Sequence, residues 1–169
     1  TKYALETPPF SFLGAEDGLY SLSFSYRAAT GSGAGMNMEY SVDGGNTWQV
    51  LGGLQSDDPN AIAYWYNTSD IIGISGANGW TGSSFGIVTP QYDIRQFRGE
   101  EDVRFRFVFG ARRASNDGFQ IDDFSITGNA VSAPSNWEGS VSSDWDEPGN
   151  WQNNTLPGST GNVVIPASS

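Results

Sequence analysis

Val103-Arg104-Phe105-Arg106-Phe107-Val108-Phe109 alternates apolar and cationic side chains through most of its length. Successive side chains of a β-strand point to opposite faces, so Val103, Phe105, Phe107 and Phe109 share one face while Arg104 and Arg106 share the other. A helix would scatter the same four apolar residues around its circumference. Residues 19–27 (LYSLSFSYR) repeat the pattern, with Tyr20, Leu22, Phe24 and Tyr26 on one face and Ser21, Ser23 and Ser25 on the other. Each segment has one side to bury, which predicts sheets that close on a common apolar layer.

Outward from these two, residues 36–42 alternate again, 47–51 follow a Gly-rich turn, and 118–126 supply a further strand. Residues 3–5 and 10–13 flank Pro8-Pro9, a pair suited to a sheet edge or a strand start. Helical periodicity is nearly absent, and 22 Gly and 8 Pro without a collagen period indicate many tight turns. The expected fold is all-β: an antiparallel two-sheet β-sandwich of the jelly-roll kind. In 169 residues, 37% of them hydrophobic and 14% aromatic, there is enough apolar surface for a proper core. Residues 52–82 read as loop. A composition shift marks 129–135 as a linker, so 1–128 forms the sandwich. Residues 136–169, with Trp137, Trp145, Trp151 and an apolar strand at 163–165, begin a second β unit.

Charge and missing residue types narrow the function. Nineteen acidic residues stand against eight basic ones, a net charge of −11. Such a surface repels phosphate backbones and gives no polybasic anchor, so neither nucleic acid nor a membrane surface is an expected partner. No apolar run approaches the roughly 20 residues of a membrane span, so no membrane insertion is expected. The chain has no Cys and no His. Thiol nucleophiles, disulfides, Ser/His/Asp sets and imidazole metal ligands are thereby excluded. Asp57-Asp58 and Glu100-Glu101-Asp102 could serve glycoside hydrolysis, which needs two carboxyls at a defined separation, but adjacent acids in turns are as readily just solvated. The expectation is a protein that is not an enzyme.

Three groups of residues stand out. Ser41-Val42-Asp43-Gly44-Gly45-Asn46-Thr47-Trp48 fits the SxDxGxTW pattern of an Asp-box. Its physics is that of a hairpin: Asp43 and Thr47 tie backbone donors of the turn, Gly45 takes positive φ, and Trp48 packs beneath. Asp122-Asp123 interrupts an apolar strand, where unbroken alternation would turn one carboxylate inward. A buried carboxylate needs an Arg, backbone donors or a metal. The partner is Arg104 or Arg106, donors in a turn, or structural Ca²⁺ at the sheet edge with help from Glu6, Glu16, Asp17 or loop carbonyls. Tyr64, Trp65, Tyr66 and Trp80 fall in the loop-like stretch, where rings either stack on a ligand such as a sugar or cover the open end of the sandwich.

The order of YALETPPFSF at 3–12, LSFSYR, EYSVDGGNTWQVLG, GWTG, YDIRQFRGEEDVRFRFVF and DGFQIDDFSITG resembles MAM-like jelly-roll domains of secreted Bacteroidota surface proteins, over residues 3–128. That resemblance implies a concanavalin-like sandwich, often with structural calcium, in adhesion or recognition, and places Asp122 and Asp123 at the family's acidic pair. It also implies strands upstream of residue 3, without which an edge is left for another chain to pair. The tail resembles the opening of a Trp-rich repeat region, through Trp137, Gly139, Ser140, Asp144-Trp145, Asn150-Trp151, Pro157, Val163, Ile165 and Pro166.

Three functions follow as expectations. The first is a non-catalytic, secreted or cell-surface binding and adhesion module for a glycan or a surface protein. The second is a structural subunit of an extracellular fibre or stalk, joined to other copies of itself through open strand edges. The third is an accessory targeting domain of a secreted peptidase or glycosidase.

Overall fold

The computed structural model describes residues 2–13, 19–31, 33–112, 118–129, 135–154, 156 and 163–164. Asp17 and Glu16, of the expected calcium set, lie outside the described residues, as do Pro157, Ile165 and Pro166 of the tail motif. The chain divides into two compact units, residues 1–129 and 130–169.

The first unit is all-β. Its strands are β1 (Lys2–Glu6), β2 (Leu19–Ala29), β3 (Gly35–Ser41), β4 (Gln49–Val50), β5 (Ala61–Ala63), β6 (Thr68–Ile71), β7 (Ala77–Gly79), β8 (Gln91–Asp93), β9 (Arg104–Gly110) and β10 (Gly118–Asn129). No α-helix occurs among the described residues. One sheet runs β1-β9-β3-β4 and the other β10-β2-β8-β5, with every neighbouring pair antiparallel. The two layers meet through the faces that alternation assigns to the core. Leu22, Phe24 and Tyr26 of β2 and Phe105 and Phe107 of β9 are buried, and the Phe24 and Phe107 rings meet edge to face at 4.8 Å. Rings packed this way add attraction beyond the area they bury.

Residues 10–13 form no strand. Phe10 instead makes a single bridge to Val103, and Phe12 is buried. The loop-like stretch 52–82 carries β5, β6, β7 and a short 3-10 turn at Ile72–Ile74. Its β6–β7 part folds back over the outer face of the first sheet, where Ile71, Ile74 and Val108 form a small second cluster. This cover buries both faces of the first half of β3. Gly73 and Gly110 touch backbone to backbone there, and a Cβ on either would overlap the other's carbonyl.

In the second unit, β11 (Ser135–Asn136) pairs in parallel with β12 (Val163–Val164). Trp137, Trp145 and Trp151 pack together, Trp137 stacked on Trp145 and Trp151 edge-on to both. The buried Asn150 side chain organises the turn around them. Its Oδ1 accepts from the backbone N–H groups of Val141 and Ser142, and its Nδ2 donates to Asp144 O at 2.8 Å. The spacing of the Asp-Trp and Asn-Trp pairs is the signature of this tryptophan cluster.

Candidate functional site

The Asp-box folds as the hairpin its residues dictate, between β3 and β4. Asp43 Oδ1 accepts from the Thr47 N–H at 2.9 Å and from the Ser41 hydroxyl at 2.7 Å, and its Oδ2 accepts from the Thr47 hydroxyl at 2.6 Å. Gly44 and Gly45 both take positive φ, where a side chain would strain the turn. Trp48 donates its indole N–H to Gly45 O, and the Arg106 guanidinium lies over its ring at 4.1 Å. The Thr47 hydroxyl, then the Thr47 N–H and the Ser41 hydroxyl, hold the Asp43 carboxyl down to about 2. The side chains of Ser41, Asp43, Asn46, Thr47 and Trp48 thus all bond within the turn.

The four rings expected at a ligand surface separate. Trp65, Tyr66 and Trp80 are core residues, each 1% exposed, whereas Tyr64 is 68% exposed. Trp80 meets Trp65, Tyr66 and Phe24 edge to face with ring centres 4.6 to 5.2 Å apart. Their polar atoms are satisfied internally. The Trp80 indole donates to Tyr64 O, the Trp65 indole to Leu51 O, and the Tyr66 hydroxyl donates to Met38 O while accepting from the Met38 N–H. Only Tyr64 remains available to a ligand, so a stacking platform built from the four does not form. The loop carrying the rings dives into the core, which a reading of the stretch as surface loop misses.

Of the candidate catalytic acids, Asp58 and Asp102 are engaged, whereas Asp57, Glu100 and Glu101 are exposed. Asp58 accepts from the Gly53 and Asn60 N–H groups and from the Tyr92 hydroxyl at 2.8 Å. Burial pushes the Asp58 carboxyl up, but those three donors more than offset it and leave it below its usual range. Asp102 pairs with Arg104, which also reaches Glu6 at 3.6 Å. Arg106 pairs with Glu39. Neither Arg therefore serves Asp122 or Asp123.

Asp122 and Asp123 are both exposed, and the inward turn expected of one of them does not occur. The reason is a β-bulge. Asp122 pairs with Ser25 but Ser125 with Ser23, so Asp123 and Phe124 together oppose the single residue Phe24. Asp123 takes up the extra length in the left-handed region at φ 54°, and its N–H bonds to Asp122 Oδ1. Asp122, opposite Ser25, already faces outward, and the bulge re-aims Asp123 to solvent as well.

Glu6, Asp122 and Asp123 nonetheless line one open cleft of about 350 Å³, together with Leu5 and Phe124. The cleft lies between β1 and β10, each the outermost strand of its sheet among the described residues. The register pairs Tyr3 with Phe109 and Leu5 with Phe107, so Tyr3 and Leu5 belong to the core-directed face. Yet they are 67% and 63% exposed, because among the described residues no strand of the opposite layer extends past β10 to cover them. A second cleft, on the other side of the bulge, is lined by Ile87, Arg27, Gln120 and again Ile121, Asp122 and Asp123. Alternation alone signalled neither cleft. The missed clue was an edge strand whose inner residues are large and apolar. Among the described residues no three His, Cys, Asp or Glu side chains converge as a metal cage, and no helix is long and apolar enough to cross a membrane. No family model matches the chain, and no curated protein matches it.

Proposed function

We propose that this chain is a non-catalytic binding module, secreted or displayed at the cell surface, that receives a polypeptide partner on the side where β1 and β10 lie open. One observation carries the reading: Tyr3 and Leu5 stand on the face that is core elsewhere in their sheet, yet remain two-thirds exposed. Large apolar side chains grouped at an uncovered edge favour association. The glycan alternative loses support, since three of its four rings are in the core. The non-catalytic part rests on the spent carboxylates Asp58 and Asp102 and on a composition without Cys or His. The extracellular setting and the adhesive role rest on the likeness to MAM-like domains.

Peptide and glycan arrays test this together. The expected result is retention on peptides that a Tyr3→Ser/Leu5→Ser variant loses and Tyr64→Ala keeps. Retention on glycans that Tyr64→Ala alone removes would overturn it.

Calcium is a proposal of its own: Glu6, Asp122 and Asp123 line one cleft, although the three do not converge as a cage. These carboxylates fall short of the roughly six to eight oxygens that Ca²⁺ takes, so carbonyls or other acids must complete the shell. A ligand bound only by the folded form raises Tm. A calcium-dependent rise that Asp122→Asn/Asp123→Asn abolishes supports the site. A Tm identical in calcium and in chelator retires both residues as ligands.

A further inference from the structure

The two clefts share a wall. Ile121, Asp122 and Asp123 border both, so the β10 bulge stands between a hollow beside Leu5 and a mixed one beside Ile87, lined also by Ser25, Arg27 and Gln120. Ile87 is 67% exposed, and next to it Phe85 is fully exposed on the Gly- and Ser-rich turn 82–86. Along this side of the sandwich an exposed apolar side chain, Leu5 or Ile87, therefore stands on either flank of the two acids. Neither Asp122 nor Asp123 takes part in an ion pair among the described residues. Arg27 lines the second cleft, but the shared wall itself is anionic.

From this arrangement, and resting on the binding-module reading above, we infer the partner's chemistry: an extended polypeptide segment with a Lys or Arg set between apolar side chains. It crosses β10 at the bulge, seating one apolar side chain in each cleft and the cation against Asp122 and Asp123. Three physical arguments converge on that occupant. Charge complementarity selects a cation, since opposite potentials across an interface favour encounter and reject like-charged competitors.

Geometry supplies the second argument. A bulge with a left-handed residue breaks the ladder, so no incoming strand can pair along the whole of β10 in register. Recognition must come from side chains on both sides of the break rather than from a continuous set of backbone bonds. Charge also disfavours a second copy of this chain, since a two-fold interface uses the same patch on both subunits and would concentrate two sets of Glu6, Asp122 and Asp123 between chains of net charge −11.

Fluorescence anisotropy with the full chain, in chelator so that no divalent cation competes, tests the inference with three synthetic peptides. One alternates Val and Lys, one Val and Glu, one Ser and Lys. The Val/Lys peptide is expected to bind at least about tenfold more tightly than the other two. Asp122→Asn/Asp123→Asn, Leu5→Ser and Ile87→Ser should each weaken it by roughly tenfold, and Tyr64→Ala should not. Raising salt from about 0.15 M to about 0.5 M should weaken the wild type more than the double Asn variant.

Equal affinity for the Val/Lys and Val/Glu peptides, or indifference to Asp122→Asn/Asp123→Asn, overturns the charge assignment. If binding then remains sensitive to Leu5→Ser, the module reading survives and only the partner's chemistry falls. Binding to none of the three peptides overturns the inference as well, and the array experiment then decides the wider reading by itself. Unchanged melting curves for the variants, all at exposed positions, separate lost binding from lost folding.

Discussion

Trp80 shows how far one side chain can mislead. In GANGWTG, flanked by turn residues, it reads as a ring on display, yet it is the hub that Phe24, Trp65 and Tyr66 surround. Trp80→Ala should therefore cost stability of about 3–5 kcal/mol, read by urea unfolding, because it empties a closed core site. A variant that unfolds like wild type would place the ring outside.

Asp43 makes the opposite case, a residue whose role was legible from its neighbours. Its folded carboxyl sits at about 2, below the ordinary 3.8, so what it contributes to stability is present above the ordinary value and is lost as pH falls through about 2. An NMR titration should find that low midpoint, and Thr47→Ala should raise it, since Thr47 supplies the largest stabilising contact. A midpoint at the ordinary value in wild type would mean the turn's bonds are not held in solution.

Asn37 was foreseen by nothing in the pattern. It pairs with Val108 on the covered outer face of β3, and its amide, 1% exposed, finds no hydrogen-bond partner among the described residues. An unsatisfied buried amide costs about 1–3 kcal/mol, so Asn37→Leu should leave stability unchanged or raise it by about 1 kcal/mol. A clear loss in chemical denaturation would show that the amide holds a water.

At the scale of elements, long strands were readable and short ones were not. The segments at 19–27 and 103–109 carry enough alternating positions to fix their faces, and β2 and β9 bury those faces. The strands β5, β6 and β7 have three or four residues each, too few for a period to emerge. That is why a hairpin covering the outer face was read as loop. The bulge in β10 escaped for a related reason: alternation assumes one residue per step, and Asp123 breaks that count.

The seating of the cover is itself testable. Gly110 ends β9 against the Gly73 backbone, whereas Gly118 has open space where a Cβ would go. Gly110→Ala should destabilise by about 1–3 kcal/mol by lifting the 72–74 turn, with Gly118→Ala nearly neutral in the same thermal melt. Equal melting of the two would mean that the cover does not sit on β9.

For the whole molecule, composition and two strands were sufficient for the fold class, because burial of alternate rings leaves few other ways to close a core. Placement of a site was much less legible. Sequence brought Glu6, Asp122 and Asp123 together for calcium, and the structure does line one cleft with them, but beside Leu5 and below an uncovered strand. Proximity of distant segments and the absence of a covering layer belong to tertiary packing, which no local pattern encodes. Three of the four rings that could have met a ligand, Trp65, Tyr66 and Trp80, are packed in the core, while Tyr3 and Leu5 lie open.

Hydroxyl-radical footprinting of the free protein, read residue by residue by mass spectrometry, compares these two sets of side chains directly. The account predicts strong labelling of Tyr3, Leu5, Phe85 and Ile87 and protection of Trp65, Tyr66 and Trp80. Labelled Trp80 together with protected Leu5 in the monomer would contradict it.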